Sequence, residues 1–255
     1  MSTTSLNFSV EKNTQSSLAQ VDWDNLPFGR IFSDHMFIME YADGKWQEGK
    51  IVPFQPIPMH PAMSALHYGQ SIFEGIKAYK GASGQVVIFR PQENYKRFNI
   101  SAERMQMPTV PEWLFMDGMK QLIEIEKDWI PTKEDHSLYI RPFMIATDPF
   151  IGVRPSALYK FMIILGPSGP YFSAPMKILI EQKYTRATPG GVGFAKNGGN
   201  YGGSLYPVAL AQEKGYDQVL WTDALEHKYV EEVGMMNVMF VIDGKVITPS
   251  LERGT

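Results

Sequence analysis

The sequence predicts an α+β fold, because strand patterns and helix patterns alternate without strict βαβ repeats. Two Asp-Gly pairs, Asp43-Gly44 and Asp243-Gly244, each lie between apolar-rich runs, which is the strongest short-range signal for a β-hairpin. Pro91 opens one helical pattern, and Pro131 follows the end of another. The 255 residues are 44% hydrophobic and 20% charged, which is enough material for two modest domains.

The elements are justified in chain order by these patterns. The first 25 residues are polar and are expected to be loosely ordered. Residues 32–54 are predicted to form the first hairpin and residues 238–247 the last one. The other predicted strands are 76–79, 85–89, 138–145, 158–165, 176–181 and 217–221, and the predicted helices are 64–75, 91–105, 112–129 and 204–214.

A turn-rich stretch, Gly166-Pro167-Ser168-Gly169-Pro170, marks the expected domain boundary. It predicts a small domain over residues 26–165, a linker over 166–174 and a second domain over 175–255. The chain stops directly after its last hairpin, and so short a second domain closes its own core with difficulty. We therefore expect the second domain to be incomplete at its C-terminus.

Composition narrows the classes of function. The net charge is −3 without long runs of one sign, so neither nucleic acid nor an anionic membrane is an expected partner. The absence of cysteine excludes disulfides and thiolate sites, and the five histidines show no metal-ligand spacing. We expect no metal site. The polar start and the lack of a long apolar segment predict a cytoplasmic protein.

Lys196 lies in a glycine-dense stretch, residues 190–203, between ordered elements. An amine with a lowered pKa forms a Schiff base with a carbonyl, so Lys196 is a candidate reactive group. The alternative is a flexible surface loop with a solvated lysine. Two phosphate-loop patterns fail: Ala195 precedes the lysine where a P-loop needs glycine, and Lys196 itself occupies the third glycine position of a dinucleotide fingerprint.

Four other charged residues are candidates for a functional role. Glu231 and Glu232 precede a glycine, and they either form a solvated acidic turn or hold a cationic nitrogen protonated. Arg97 lies on a predicted helix, where most arginines are surface residues. Arg141 interrupts an apolar strand next to Pro142, which indicates either an edge strand or a bound carboxylate. Taken singly, Phe28, Tyr68, Phe73 and Tyr171 would be core aromatics.

Four ordered motifs together resemble branched-chain amino acid aminotransferases, which are pyridoxal-phosphate enzymes of fold type IV. The motifs are Leu-His-Tyr with Phe-Glu-Gly-Ile-Lys-Ala-Tyr inside residues 66–79, Tyr-Ile-Arg-Pro at 139–142, the glycine run at 191–202 and Glu-Val-Gly-Met-Met-Asn at 232–237. The resemblance implies a small N-terminal α/β domain and a larger C-terminal cofactor-binding domain, here truncated. It also implies a homodimer.

The resemblance assigns a role to each candidate residue. Lys196 would form the aldimine with pyridoxal 5'-phosphate and shuttle a proton, Glu232 would pair with the pyridinium nitrogen, and Tyr201 would bind the ring's phenolic oxygen. Arg97 would grip the phosphate, and Arg141 would engage the second carboxylate of glutamate. The implied walls of the substrate pocket are Phe28, Phe73, Tyr139 and Tyr171, with Tyr68, Ile151 and Val153 lent by the neighbouring subunit.

The implied reaction is amino-group exchange between leucine, isoleucine or valine and 2-oxoglutarate. A D-amino acid aminotransferase or an aminodeoxychorismate lyase is the alternative within the fold, although the set Tyr68, Phe73, Tyr139 and Arg141 argues against both. An inactive binding protein is the alternative from another class. Retention of Lys196, Glu232, Tyr201 and Arg97 argues for an enzyme.

Overall fold

The computed structural model describes residues 8–172 and 174–251. The chain divides into two compact units, Met1–Tyr171 and Phe172–Thr255. This division falls inside residues 166–174, the predicted linker, but residues 166–168 belong to a strand of the first unit, because they pair with residues 137–139. Ser173 lies outside the described residues. The parts of the predicted segments that cover residues 1–7 and 252–255 also lie outside them.

The first unit contains a nine-stranded, largely antiparallel sheet within the described residues. Its strands are β1 (Ser9–Val10), β2 (His35–Ala42), β3 (Lys45–Trp46), β4 (Lys50–Pro53), β5 (Ser71–Phe73), β6 (Ile76–Lys80), β7 (Val86–Ile88), β8 (Ser137–Ala146) and β9 (Tyr159–Ser168). The order is β1-β4-β2-β9-β8-β6-β7, with β3 on β2 and β5 on β8. The helices of this unit are α1 (Ser64–Tyr68), α2 (Pro91–Arg104) and α3 (Glu112–Ile125), with 3₁₀ turns at Leu18–Gln20 and Lys127–Trp129.

The core of the first unit is aromatic. Phe161 on β9 lies 5.5 Å from Phe98 on α2 and 5.9 Å from Phe115 on α3, measured between ring centroids, and all three are fully buried. Pairing of β8 with β9 runs unbroken from Ser137↔Ser168 to Ala146↔Tyr159. Burying a side chain of this size contributes roughly 1.5–3 kcal/mol. The long strand pair and the two helices therefore make a rigid platform.

The second unit is smaller. Its elements are β10 (Ile178–Ile180), α4 (Gly198–Glu213), β11 (Gln218–Thr222), β12 (Val230–Val233), β13 (Phe240–Ile242) and β14 (Lys245–Ile247). Strands β10 and β11 are parallel, with α4 between them in the chain, and β12 is antiparallel to β11. Ala211, Val219 and Trp221 form its fully buried core. Strands β13 and β14 form a separate hairpin.

Most predicted elements are confirmed, including both Asp-Gly hairpins. Asp43 and Gly44 have φ of 54° and 71°, and Asp243 and Gly244 have φ of 50° and 73°, as a type I′ turn requires. The first helix is shorter than the predicted 64–75, because Gly69 ends it in the left-handed conformation and residues 71–73 then pair with β8.

Three expectations are corrected by the structure. Helix α4 begins at Gly198 rather than at residue 204, because the Asn197 side chain caps it. The edge-strand interpretation of Arg141 is wrong, since β8 lies between β9 and β6. Within residues 8–25, expected to be loosely ordered, β1 pairs with β4 and Phe8 packs against Phe37, because the side chain of Phe8 is apolar enough to enter the core.

Candidate active site

The reactive-lysine candidate lies immediately before helix α4. Lys196 Nζ donates a hydrogen bond to the Tyr201 hydroxyl at 2.6 Å, and the lysine is partly buried. Tyr201 is in the first turns of α4, so the helix fixes the position of its ring. A short bond to a phenol restrains the amine in one place, which a solvated surface lysine would lack.

Two asparagines hold the glycine-rich stretch. Asn200 Nδ2 donates to the carbonyls of Val192 at 2.8 Å and Ala195 at 2.7 Å. Asn197 Oδ1 accepts from the backbone N–H of Asn200 at 3.2 Å, which caps the helix. The loop is therefore fixed by its own side chains rather than by a ligand. The flexible-loop alternative for Lys196 is wrong for this reason.

Glu231 is buried and Glu232 is largely buried on strand β12, so the solvated acidic turn is excluded. Glu232 forms an ion pair with Arg186, and 13% of its side chain is exposed. Glu231 is 5% exposed, and neither of its carboxylate oxygens has a hydrogen-bond partner among the described residues. Successive residues of a strand point to opposite faces, so the two carboxylates have different surroundings.

Burial raises the pKa of both glutamates. The pKa of Glu232 is raised by desolvation, against which the charge and hydrogen bond of Arg186 act. The pKa of Glu231 is raised by desolvation and by the negative charge of Asp223, while Arg186 opposes the shift. Arg186 thus favours the ionised form of both groups, and the charge of Lys196 adds to this effect at Glu232.

Asp223 organises the loop that leads into β12. Its two carboxylate oxygens accept backbone N–H groups from residues 225, 226, 228 and 229 at 2.8–3.2 Å. These hydrogen bonds hold the pKa of Asp223 far below its usual range. The hydrogen bonds of the buried Asp223 carboxylate therefore order the loop that leads to Glu231 and Glu232.

In the first unit, five of the predicted pocket residues form one cluster. Arg141 Nη2 donates to the Tyr139 hydroxyl at 2.8 Å, and the guanidinium carbon lies 4.4 Å from the centre of the Phe73 ring. Phe28 lies edge-on to Tyr139 at 4.9 Å and to Tyr171 at 5.2 Å. Phe28 and Tyr171 are about half exposed, so they are not the core aromatics of the alternative interpretation.

Gly75 makes room for this cluster. A Cβ atom on Gly75 would overlap the Tyr139 hydroxyl, so no larger residue fits there without moving that ring. Arg141 Nε is buried and has no hydrogen-bond partner among the described residues. A buried guanidinium N–H without an acceptor is costly, and it marks a position where an anionic ligand would be favourable.

Three other predicted pocket residues do not join the cluster. Tyr68 lies on α1, and Ile151 and Val153 lie in the segment between β8 and β9. All three are exposed, Val153 to 92%. The core interpretation of Tyr68 therefore fails as well.

The arginine predicted to bind phosphate is paired with an acid that the sequence interpretation did not single out. Arg97 on α2 donates from Nε and Nη2 to the two oxygens of Glu74, at 2.5 and 2.9 Å. The sequence interpretation also did not single out Arg186. Glu74 does lie in the Phe-Glu-Gly motif, but no spacing rule connects it to residue 97, and Arg186 lies ten residues before Lys196 without a periodic relation.

Neither a membrane-spanning helix nor a cluster of metal-binding side chains is found in the described part of the chain. No helix there is long and apolar enough to cross a membrane. The same residues contain no group of three or more histidine, aspartate or glutamate side chains arranged to hold a metal ion.

Comparison with known proteins identifies relatives. The family described as amino-transferase class IV matches residues 71–255. The branched-chain-amino-acid transaminase 1 of Bacillus subtilis (strain 168) is 51% identical over 235 residues, which cover 90% of this chain and 66% of that protein. This chain thus spans about two thirds of the length of the curated relatives it matches.

Solved structures agree with the family match. The branched-chain amino acid aminotransferase from Escherichia coli superposes with a TM-score of 0.66 at 28% identity, over 86% of this chain and 68% of that one. The enzyme of the same name from T.th., complexed with N-(5'-phosphopyridoxyl)-L-glutamate, gives a TM-score of 0.63 at 30% identity, over 82% and 65% of the two chains. Both superpositions show that this chain shares the fold of these family members as well as their sequence similarity.

Proposed function

This chain belongs to the class IV aminotransferase family, and from that premise we propose that it exchanges the amino group between branched-chain L-amino acids and 2-oxoglutarate. The proposed donors are leucine, isoleucine and valine, and the cofactor is pyridoxal 5'-phosphate, on which the family depends. Relatives that are about 50% identical to this chain are named branched-chain-amino-acid transaminase or aminotransferase. The observation that carries the proposal is the 2.6 Å contact between Lys196 and Tyr201.

The residues of the second unit fit the cofactor. When bound, pyridoxal phosphate supplies an electrophilic carbonyl and a ring that withdraws electrons from the substrate. Lys196 provides the amine for covalent attachment, and Glu232 provides a buried acid for the ring nitrogen. The Nη1 atom of Arg186 is buried without a hydrogen-bond partner among the described residues. A hydrogen-bond donor is therefore available beside Glu232 for a polar group of a ligand.

Proton transfer is assigned to Lys196. Nζ would carry the proton between the substrate Cα and the cofactor carbon C4′, so it must stay within reach of both atoms. The Tyr201 hydroxyl holds Nζ at 2.6 Å, and in our proposal it also binds the phenolic oxygen of the ring. Glu232, whose ionised form Arg186 favours, would hold the ring nitrogen protonated. Arg97 is assigned to the phosphate.

Substrate recognition is assigned to the cluster of Phe28, Phe73, Tyr139, Arg141 and Tyr171. Its rings offer apolar surface for a branched side chain, because the aromatic faces exclude water from it. The Arg141 guanidinium lies against the Phe73 and Tyr139 rings and would bind the second carboxylate of glutamate. One pocket would thus accept both kinds of substrate.

The assembly and the compartment are part of the proposal. We infer a homodimer in which Tyr68, Ile151 and Val153 serve the neighbouring subunit, and the high exposure of these apolar side chains supports it. Lack of cysteine suits a reducing cytoplasm, where we expect the protein to act.

Reductive trapping tests the central assignment. The protein is incubated with pyridoxal phosphate, reduced with borohydride and digested, and the modified peptide is identified by mass spectrometry. We expect the label on Lys196 in the parent and its loss in Lys196→Arg, with Lys214→Arg at the other end of α4 as the matched control. A label that persists at another lysine in Lys196→Arg would overturn the assignment.

A further inference from the structure

A fully buried carboxylate lies at the corner between strands β5 and β6. Glu74 has no solvent exposure, and its oxygens accept four hydrogen bonds. Two come from Arg97, one from Asn94 Nδ2 at 2.9 Å, and one from the backbone N–H of Gly75 at 3.2 Å. The corner itself is fixed, because the Glu74 N–H donates to the carbonyl of Pro142 on β8 at 2.8 Å.

The partner of this carboxylate is a half-exposed guanidinium. The Arg97 side chain is 51% exposed while Glu74 is enclosed, so the acid holds the arginine from the protein side. Helix α2 fixes the arginine backbone, since the adjacent Phe98 is fully buried in the core. Ser101 Oγ also donates to the Arg97 carbonyl at 2.9 Å.

The geometry of the pair fixes the plane of the guanidinium. Two parallel hydrogen bonds, from Nε and from Nη2, stop rotation of the planar group about its last bond. An arginine that is ordered before a ligand arrives loses little further entropy on binding, so its contact with the ligand is stronger. Asn94 and Gly75 order the carboxylate in turn.

We propose that Glu74 is a positioning residue, which sets Arg97 in advance for a phosphate ester. The inference rests on the proposed function, in which Arg97 binds the phosphate of the cofactor. Glu74 does not touch the phosphate; it acts only through Arg97. The competing interpretation is that the pair merely ties α2 to the strand corner.

Affinity for two aldehydes that differ only in the phosphate separates these interpretations. Pyridoxal phosphate and pyridoxal are titrated into the apo-protein, and the dissociation constant of each is measured from the absorbance of the lysine adduct. Glu74→Gln keeps the shape of the side chain but removes the charge. Without that charge, Arg97 is no longer held in place, and its charge-assisted hydrogen bond to the phosphate is weakened. We therefore expect pyridoxal phosphate to bind roughly 10–100-fold more weakly. The affinity for pyridoxal should stay within about twofold.

Control variants make the result specific. Glu40→Gln breaks another ion pair of the same unit, with Lys160, and should leave both affinities unchanged. Arg97→Gln should show the same loss as Glu74→Gln or a larger one, again for pyridoxal phosphate alone. In the double variant the two losses should not add, because both act on one contact.

The outcomes are distinct. Equal weakening of both aldehydes by Glu74→Gln, or no weakening of either, would overturn the positioning role. Absence of the phosphate-specific loss in Arg97→Gln would instead refute the assignment of Arg97 in the proposed function. If Glu74→Gln does not fold, Asn94→Ala decides, because it removes one hydrogen bond to Glu74 and keeps the charge pair. It should give a smaller, still phosphate-specific loss, and a loss shared by both aldehydes would count against the inference.

Discussion

The two units hold their functional side chains by different means. In the first, Arg141, Tyr139 and Phe73 project from a sheet backed by an extensive aromatic core. In the second, the fully buried core among the described residues is small, and Lys196, Glu232 and Asp223 are held by hydrogen bonds and an ion pair. Packing therefore determines the geometry of the first set, while charge and protonation determine that of the second. The first set should respond to lost volume and the second to changed charge.

The largest effect is expected from the second unit. Lys196→Ala should lower transamination of leucine by roughly 10³-fold or more, because the amine is both the attachment point and the proton carrier. The circular dichroism spectrum should not change, since the side chain contributes a hydrogen bond to Tyr201 and little apolar packing. Lys214→Ala, just beyond the other end of helix α4, is the control. Activity within about tenfold of the parent would mean that another lysine does the chemistry.

The matching change in the first unit removes volume. Phe161→Ala should destabilise this unit by about 3–5 kcal/mol, because the ring packs against Phe98 and Phe115 and the cavity cannot collapse. Urea denaturation followed by far-UV circular dichroism measures the change. Val86→Ala on the outer strand β7 should cost less than about 0.5 kcal/mol. A cost below about 1 kcal/mol for Phe161→Ala would show that the platform is not rigid.

Substrate preference tests whether Arg141 and its aromatic neighbours bind a carboxylate. Arg141→Gln should destabilise the transition state for glutamate by about 2–5 kcal/mol, because the buried charge-assisted contact between Arg141 and the second carboxylate of glutamate is lost. Leucine has no second carboxylate, so its kcat/KM should change far less. Tyr139→Phe, which removes the hydroxyl that Arg141 contacts, should give a smaller change of the same kind. Equal losses for the two substrates would show that Arg141 is structural.

The smallest effect concerns pH and the buried Glu231. Its raised pKa means that the folded state binds more protons than the unfolded state above pH 4.5, so its contribution to stability falls as pH rises through the folded pKa. Glu231→Gln should therefore gain stability relative to the parent as the pH rises from about 5 to about 8, because the amide does not ionise. Thermal melts at both values measure it, with the exposed Glu226→Gln as control. A shift independent of pH would mean that Glu231 is not the titrating group.

Local chemistry explains what could be predicted along the chain. The Asp-Gly turns and Pro91 were informative because a turn type or a first helical position depends on a few adjacent residues. The start of α4 was misplaced because glycine propensity argues against a helix, whereas the cap by Asn197 outweighs it. The helix at 64–75 was overextended because pairing of residues 71–73 with β8 is a long-range contact.

In the candidate site, too, contacts between residues close in sequence could be predicted and long-range contacts could not. Lys196 and Tyr201 are five residues apart, so the motif that names them also brings them together. Glu74 and Arg97 are 23 residues apart, and only the packing of α2 beside the β5–β6 corner makes them partners. Arg186 and Glu232 likewise meet through the second unit's tertiary structure.

By itself the sequence determined the α+β class, most elements, the family and the identity of the candidate reactive lysine, because each depends on residue type or short spacing. Only the tertiary structure decided that Arg141 lies in an interior strand, that Glu231 is buried and Glu232 largely so, and that Glu74 holds Arg97. The physical reason is that burial and ion pairing depend on distances through space. Such distances are set by the whole fold, and no local pattern of residues encodes them.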